Sequence, residues 1–382
     1  MRETGSNRVL IVGAGVAGST LAVALHARGV EIELVEIQPE WKPLGTGLML
    51  MGPSLRALRG LDLIDDAVAG GAGLYHFAVG DEAGNPTSVT DLPRLAGDEY
   101  PACIELGRPA FHGILAKEMR RAGVPVRLGL TIDAIDENDN AVDVTFSDGE
   151  SARYRAVVGA DGAYSGVRRL IFPELGAPRP SGQALWRAMV DRPPELGSNF
   201  QEGTVYMLYG PHNKAMIIPT SPRQLYIALT ENGAGHDRPD DAVLPELMRA
   251  HLADYRGFVA VLRDQITDPS QVIWRRLEVL LVKPAWHRGR TILIGDAAHT
   301  TTPNLASGAG MAIEDGVVLA EELSGEGPVE AAFERFMSRR YERCRMVVEN
   351  SAQLSEWEQR PVPGADPIAL TDESWRVLSQ PI

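Results

Sequence analysis

Six residues near the N terminus, Gly13-Ala14-Gly15-Val16-Ala17-Gly18, constrain this chain more than any other segment. A β-branched run, Arg8 to Val12, precedes them, and an apolar helical pattern runs from Ser19 to Arg28 before Gly29. A second extended run, Glu31 to Val35, ends at Glu36. Strand, glycine turn, helix and strand in this order describe a βαβ unit. Gly13 permits the tight turn, Gly15 lets the backbone approach a pyrophosphate, and Gly18 packs helix on strand. Ala17 lies within the same loop. Glu36 follows Gly13 by 23 positions, near the ~20 expected of an acid that binds a ribose hydroxyl. Phosphate then rests on free N–H groups at the positive end of the helix. The segment reads as a dinucleotide site.

A second motif lies far away, from Ile292 to Asp315. An apolar run, Thr291 to Ile294, ends in Gly295-Asp296. A polar loop with Pro303 follows, and Gly308-Ala309-Gly310-Met311 opens an apolar helix that carries Glu314 and Asp315. An acid directly after a strand and a glycine can accept hydrogen bonds from cofactor hydroxyls. The helix start places backbone N–H groups where a ring bearing negative charge would be stabilised. Glu314 and Asp315 read as helix and packing residues, and His299 as a satisfied loop histidine. A third segment, Arg155 to Gly162, is again a strand running into a glycine turn, here Asp161-Gly162, followed by Ser165, Val167, Arg168 and Arg169.

GAGVAG with Glu36, then VVGADGAYSGVRR, then GDAAHTTTP resembles the single-component FAD-dependent aromatic hydroxylases of the para-hydroxybenzoate hydroxylase type. The resemblance runs from about Arg8 to about Glu349. It implies an α/β fold: a Rossmann-like FAD-binding domain with a second layer of antiparallel or mixed sheet covering the flavin. It implies that Asp296 holds the ribityl chain of FAD, and that Arg108, in Gly107-Arg108-Pro109-Ala110-Phe111, opens a helix and contacts FAD. Lys42 stands where relatives carry an arginine before the turn Gly45-Thr46-Gly47. Asp161 would organise its turn near both nucleotides. The late loop departs from the family pattern of GQG followed by Asn, because Ala306, Ser307, Gly308 and Gly310 stand there. This version looks more like the hydroxypyridine-carboxylate oxygenases.

The implied chemistry is hydroxylation of a small aromatic or heteroaromatic ring. NADH or NADPH reduces FAD and leaves, O2 adds to form a flavin hydroperoxide, and its distal oxygen passes to an electron-rich carbon. Arg187, Lys214 and Tyr226 fall where the pyridine-ring oxygenases place an arginine, a basic residue and a tyrosine near substrate, and are the expected catalytic set. A basic pair suits an acidic or phenolic ring. Strand alternation puts Lys214, Met216 and Ile218 on one face, and Tyr226 with Ala228. Trp186, Tyr206, Tyr209, Met49 and Met51 are further candidates. Two rival readings stay open: a flavin-dependent dehydrogenase, reductase or halogenase without oxygen insertion, and a non-catalytic FAD-binding sensor of a ligand or partner.

Composition narrows the partners. The 382 residues suffice for two domains and a large core. A net charge of −14 argues against a nucleic-acid or anionic-membrane surface. Two cysteines, Cys103 and Cys344, form no disulfide framework, and the chain reads as cytoplasmic, as a monomer or homodimer. No apolar run approaches the ~18 residues of a membrane span. The eight histidines include no HExxH, and no CxxC is present, so no metal is expected. A GxSxG nucleophile elbow is also missing.

The chain is expected to alternate between two domains. Residues 1–75, 100–180 and 281–345 are assigned to the FAD-binding domain, 76–99 and 181–280 to a substrate-binding sheet domain, and 346–382 to a C-terminal helix and tail. Val126–Leu128, Ala141–Phe146 and Ala156–Val158 read as strands, with a hairpin signal at Asp148-Gly149. Longer strands follow at 184–191, 204–209, 215–219 and 224–230. Pro245–Gln265 reads as helical, Gln271–Leu280 as a strand, and Pro328–Arg360 as a long amphipathic helix. The tail beyond Pro361 is Pro-rich and carries no further pattern.

Overall fold

The computed structural model describes residues 7–41, 47–138, 140–194, 196–197, 200–233 and 237–382. A six-stranded sheet carries the first layer. Its order is His287–Arg288, Thr291–Leu293, Ala156–Gly159, Val9–Val12, Ile32–Glu36 and Val126–Leu128. Every pairing is parallel except that of the edge strand His287–Arg288. All four residues of Val9–Val12 are buried, as expected of a parallel strand covered on both faces. The three glycine turns identified in the sequence all leave the carboxyl ends of adjacent strands in this sheet. A small antiparallel sheet, Ser151–Tyr154, Val142–Phe146 and Ile132–Glu137, stands beside it. Its hairpin turns at Asp148-Gly149, with Gly149 at a φ of 85°.

The second layer is a seven-stranded sheet in the order Val272–Val279, Arg179–Asp191, Gln224–Asn232, Lys214–Ser221, Thr204–Tyr209, His76–Asp81 and Pro86–Asp91. It is antiparallel apart from the pairing of Thr204–Tyr209 with His76–Asp81. One face is fully buried: Trp186, Ala188, Ile217, Ile227 and Leu229 pack against Met248, Leu252, Phe258 and Leu262. Those last four come from two helices, Leu244–His251 and Gly257–Arg263, where the sequence suggested one. The break is at Gly257, whose φ of 58° and approach to the Ala83 carbonyl leave no room for a Cβ. The opposite face is mostly half-buried. Met189, Met216, Ile218, Tyr226 and Ala228 meet Met49, Met51, Leu74, Phe77, Leu92 and Cys103 there.

Helix Gly308–Ser324 packs across helix Val16–His26. A Cβ on Gly316 would meet Leu21 N at 2.8 Å and the Thr20 side chain at 3.0 Å, so the crossing depends on a residue without a side chain. The long helix Val329–Gln359 lies behind both layers, and the tail forms one more helix, Pro367–Ser379. The Asp366 side chain accepts the Ala369 N–H at 2.9 Å, and Pro367 occupies the first turn. Asp-Pro is a helix-start signal, so the helix in the tail has a local cause in the sequence. Among the described residues, no helix is long and apolar enough to cross a membrane.

An ion network inside this scaffold ties the helices to the late glycine turn. Arg340 is fully buried and donates to Asp315 Oδ1 at 2.8 Å and to Glu314 Oε2 at 2.6 Å. Arg343 grips Glu314 with two further bonds of 2.9 Å. Asp315 Oδ2 accepts the Gly295 N–H at 2.9 Å and meets His299 Nε2 at 2.6 Å. Glu314 and Asp315, expected to be packing residues, are therefore the anionic centre of the scaffold. Arg340→Met should leave two buried carboxylates short of a partner and cost about 3–5 kcal/mol. Arg345→Ala removes an exposed helix-surface pair and should leave stability nearly unchanged. Urea denaturation of both variants checks the contrast.

Candidate active site

A cleft opens where the carboxyl ends of Val9–Val12, Ala156–Gly159 and Thr291–Leu293 meet the half-buried face of the second sheet. On its floor, Gly13 has a φ of 105°, and a Cβ there would sit 2.5 Å from the Ala160 carbonyl oxygen. Gly15 is exposed, has open space above it, and begins helix Val16–His26 without a side-chain cap. Its neighbour Ala17 is buried beneath the loop, and a Cβ on Gly18 would strike the Gly13 carbonyl at 2.0 Å. Glu36 Oε2 accepts the Ala14 N–H at 2.8 Å, and Oε1 accepts the Gln38 N–H at 2.9 Å. The uncapped helix end, the open space at Gly15 and an acid beside it fit a pyrophosphate and its ribose.

The two other turns are joined from below. Arg168 is buried and donates to the Ala297 carbonyl at 2.8 Å and to the Ala163 carbonyl at 2.6 Å. Asp161 accepts from Ser165 Oγ and from the N–H groups of Gly166 and Val167. Its carboxylate is thus occupied in starting helix Gly166–Ile171, a structural task. Gly295 has a φ of 61°, with the Ala17 Cβ only 2.9 Å from where its own would be. That turn aims Asp296 into the cleft. The Asp296 side chain is accessible there but lies deep in the fold, and dehydration raises its carboxyl pKa against the pull of His299 and Arg108. Pro303 is exposed in a short 3-10 turn, and Ala306 adopts a left-handed φ of 50°. Helix Gly308–Ser324 then begins with Gly308, Ala309, Gly310 and Met311, again without a side-chain cap. Gly310 packs on the Ser54 hydroxyl.

His299, Asp315 and Cys344 come within 4.8 Å of one another, a grouping that no sequence spacing announced. Burial disfavours the charged imidazole, yet Cys344 and Asp315 hold the His299 pKa well above its ordinary value. The Asp315 carboxyl is opposed by burial but held down to about 2 by His299 and Arg340. Both Asp315 oxygens already receive protein donors, and His299 and Arg340 supply the positive charge. The grouping is an ion network.

Above the glycine turns, four elements bring charge together. Arg108 opens helix Arg108–Arg121 and is half-buried. Burial lowers its pKa, Arg187 lowers it further, and Asp296, Tyr226 and Glu105 pull it back. Arg187 lies on strand Arg179–Asp191 opposite Ala228, and Tyr226 lies on the neighbouring strand opposite Met189. Lys214 lies on the same sheet, but its ammonium is held by Glu358 of the long helix, which also accepts from Asn304. Trp186 and Tyr206 belong to the fully buried face, and Tyr209 is exposed. These rings lie away from the cleft. Lys42, with Gly45 and Thr46, lies outside the described residues, while Gly47 begins the strand Gly47–Leu50.

Two residues without a motif join the region. Glu105 is 1% exposed beside Gly47 and the two arginines. Trp375, from the tail helix, stacks edge-on to Phe77 at 5.8 Å and lines an apolar cavity with Met51, Leu92, Gly310 and Met311. A buried acid within CIELG was a readable signal for the first. Nothing local could place the second, because Trp375 reaches the cleft from nearly 300 residues beyond Phe77.

Comparison with known proteins agrees with this geometry. A family model described as FAD binding domain matches residues 6–351. The 2-heptyl-3-hydroxy-4(1H)-quinolone synthase of Pseudomonas aeruginosa is 33% identical over 356 residues, covering 92% of this chain and 90% of that one. The crystal structure of Klebsiella pneumoniae HpxO complexed with FAD and uric acid superposes with a TM-score of 0.83 at 22% identity, covering 97% of this chain and 92% of that one. The tetrameric form of 2-methyl-3-hydroxypyridine-5-carboxylic acid oxygenase gives 0.78 at 23% identity, with 96% of each chain covered. The two structures establish the fold. Three glycine turns on one parallel sheet, a covering second sheet and a sequence match along nearly the whole chain make this protein a member of the FAD-binding monooxygenase family of para-hydroxybenzoate hydroxylase type.

Proposed function

We propose that this protein consumes NADH or NADPH and O2 to hydroxylate a small aromatic or heteroaromatic ring that carries an acidic or phenolic group. The observation that carries the reading is the meeting of Arg108, Arg187 and Tyr226 beside Asp296, under an apolar, half-buried sheet face. Gly13, Gly15, Gly18 and Glu36 would hold the adenosine half of FAD, and Asp296 its ribityl chain. Gly308, Ala309 and Gly310 would face the flavin pyrimidine. Bound flavin, once reduced, supplies the electrons that activate O2 for transfer of one oxygen atom.

The chain's own residues meet the remaining demands. Met189, Met216, Ile218 and Ala228 offer an apolar wall that excludes water from the reacting ring. Arg187 and Arg108 favour an anionic ring substituent. The Tyr226 hydroxyl accepts or relays the proton of a ring hydroxyl, and so enriches the carbon to be attacked. Uncapped N–H groups at Ser307–Gly310 stabilise negative charge at the edge of the cofactor. Lys214 would act only as part of its pair with Glu358. The names of the quinolone synthase and of the pyridine-carboxylate oxygenase support a nitrogen heterocycle among the rings worth testing first.

Oxidation of NADH and NADPH by the FAD-loaded protein, screened against phenols, aromatic acids, quinolones and hydroxypyridines, tests the reading. The expected result is a product heavier by one oxygen atom with little peroxide. Oxidation with stoichiometric peroxide for every ring would favour a reductase. Asp296→Ala should weaken FAD retention by about 1–3 kcal/mol, the cost of a lost buried hydrogen-bond partner, and flavin release during dialysis measures it.

Tyr226→Phe should lower product formed per NAD(P)H more than it weakens ring binding. An unchanged yield would make the tyrosine a packing residue. Arg187→Ala should raise KM for acidic rings about tenfold or more, as for a lost charge-assisted bond, with little effect on neutral ones. Equal effects on both classes would reduce Arg187 to scaffold.

A further inference from the structure

Glu105 lies on the middle strand, Cys103–Gly107, of a three-stranded sheet between Gly47–Leu50 and Ala72–Leu74. Register sorts the residues of this sheet by face. Leu48, Leu50, Ile104 and Leu106 enter the main core. Gly47, Met49, Ala72, Leu74, Cys103, Glu105 and Gly107 share the other face, which packs toward strand Lys214–Ser221 and Tyr226. Glu105 is the one carboxylic acid on a face otherwise made of glycine, alanine, leucine, methionine and cysteine.

Its surroundings are tight and poorly paired. The side chain is 1% exposed, and its Oε1 has no hydrogen-bond partner among the described residues. A Cβ on Gly47 would lie 1.8 Å from that oxygen and 3.6 Å from Tyr226 Cδ2, so the carboxyl and the tyrosine ring crowd the same point. Arg108 and Arg187 both act on Glu105 electrostatically, and each has a buried Nε without a hydrogen-bond partner among the described residues. An ionised carboxylate would be expected to capture these donors. Instead, burial dominates and raises the Glu105 pKa to about 8, with the Leu48 N–H, Arg108 and Arg187 opposing.

The remaining groups around it are few. Cys103, on the same strand, has its thiol pushed up to about 12 by burial and by Glu105. Tyr226 faces it from the second sheet, and Asp296 lies beyond Arg108. The flanking strands Gly47–Leu50 and Ala72–Leu74 contribute no ionisable side chain.

We infer that Glu105 is a specificity-determining residue of this site: buried on an apolar face with Oε1 unpaired among the described residues, it stands neutral beside Arg108 and Arg187, leaves their charges uncancelled and so makes the pocket select anionic rings. When Glu105 ionises, its negative charge offsets one arginine, and the preference for an anion falls. The inference rests on the ring-binding reading given above and adds to it the residue that sets the charge of the pocket.

Two measurements on the FAD-loaded protein test this. The first is infrared difference spectroscopy between pH 7 and pH 9. The wild type should lose the carbonyl band of a neutral carboxyl, and Glu105→Gln should lack that change. No titrating band in the wild type, or the same band in the variant, overturns the inference. The second is binding of benzoate, ionised throughout this range, read from the flavin absorbance, with benzamide as the neutral probe. The neutral fraction of a group titrating near 8 falls about tenfold between pH 7 and pH 9. Benzoate Kd should therefore rise by up to about tenfold in the wild type and stay level in Glu105→Gln, with benzamide level in both. A parallel rise in both proteins assigns the effect to another group and overturns the inference. Failure of benzoate to bind at any pH, with the infrared band present, overturns the anion-selecting role and the acidic-ring proposal together, while ring hydroxylation itself is judged by the turnover screen.

Discussion

The Asp315 carboxylate is the interaction on which the rest of this architecture leans. Its two oxygens receive Arg340, His299 and the backbone N–H of Gly295. Three separate pieces of chain are thereby fixed to one buried point: the long helix Val329–Gln359, helix Gly308–Ser324, and the turn that aims Asp296. A buried charge is tolerable only when fully paired. The same requirement that makes the cluster costly to disturb gives the turn one position. A strained glycine turn alone would leave Asp296 free to sample several directions. Bonded to the scaffold through the Gly295 N–H, the turn holds one position.

Charge is distributed unevenly between the two sides of the cleft. On the side of the glycine turns, two helix starts without side-chain caps present backbone N–H groups at no cost in side-chain entropy. On the side of the second sheet the charge lies on side chains, with Arg108 and Arg187 set against Asp296, Glu105 and Tyr226. In the low-dielectric space between two sheets, such charges act strongly and are little screened. On the sheet's outer, fully buried face the same strands carry Ala188, Ile217 and Ile227, and there packing is the whole account. Strand alternation gives one sheet a core face and a second, half-buried face.

Sequence alone specified the parallel sheet with its glycine turns, because each depends on local rules. Gly13, Gly18 and Gly295 each stand where a Cβ would collide with neighbouring atoms, and the adjoining β-branched runs have nowhere to go but a covered sheet. The resemblance in three motifs carried the two-layer fold, and the alternation of Met216, Ile218, Tyr226 and Ala228 indicated which strand positions share a face. The Asp366-Pro367 helix start was also present in the sequence, though a proline-rich tail disguised it.

Only the tertiary structure decided how the charges pair. Lys214 looked like a free cation near substrate until the long helix brought Glu358 to it from 144 residues away. Asp161 reads in sequence as organising its turn, and only the fold shows which groups it holds: Ser165, Gly166 and Val167. Glu105 is visible in sequence as an acid within an apolar pentapeptide, but only the register of three strands gives it an apolar face and two arginines. Glu314 and Asp315 read as ordinary helix residues until Arg340 reached them. The reason is physical: a glycine's conformation is set within a few residues of chain. The charge state and partner of an ionisable side chain are set by whatever the whole fold places within a few ångströms, and by how much water it leaves there.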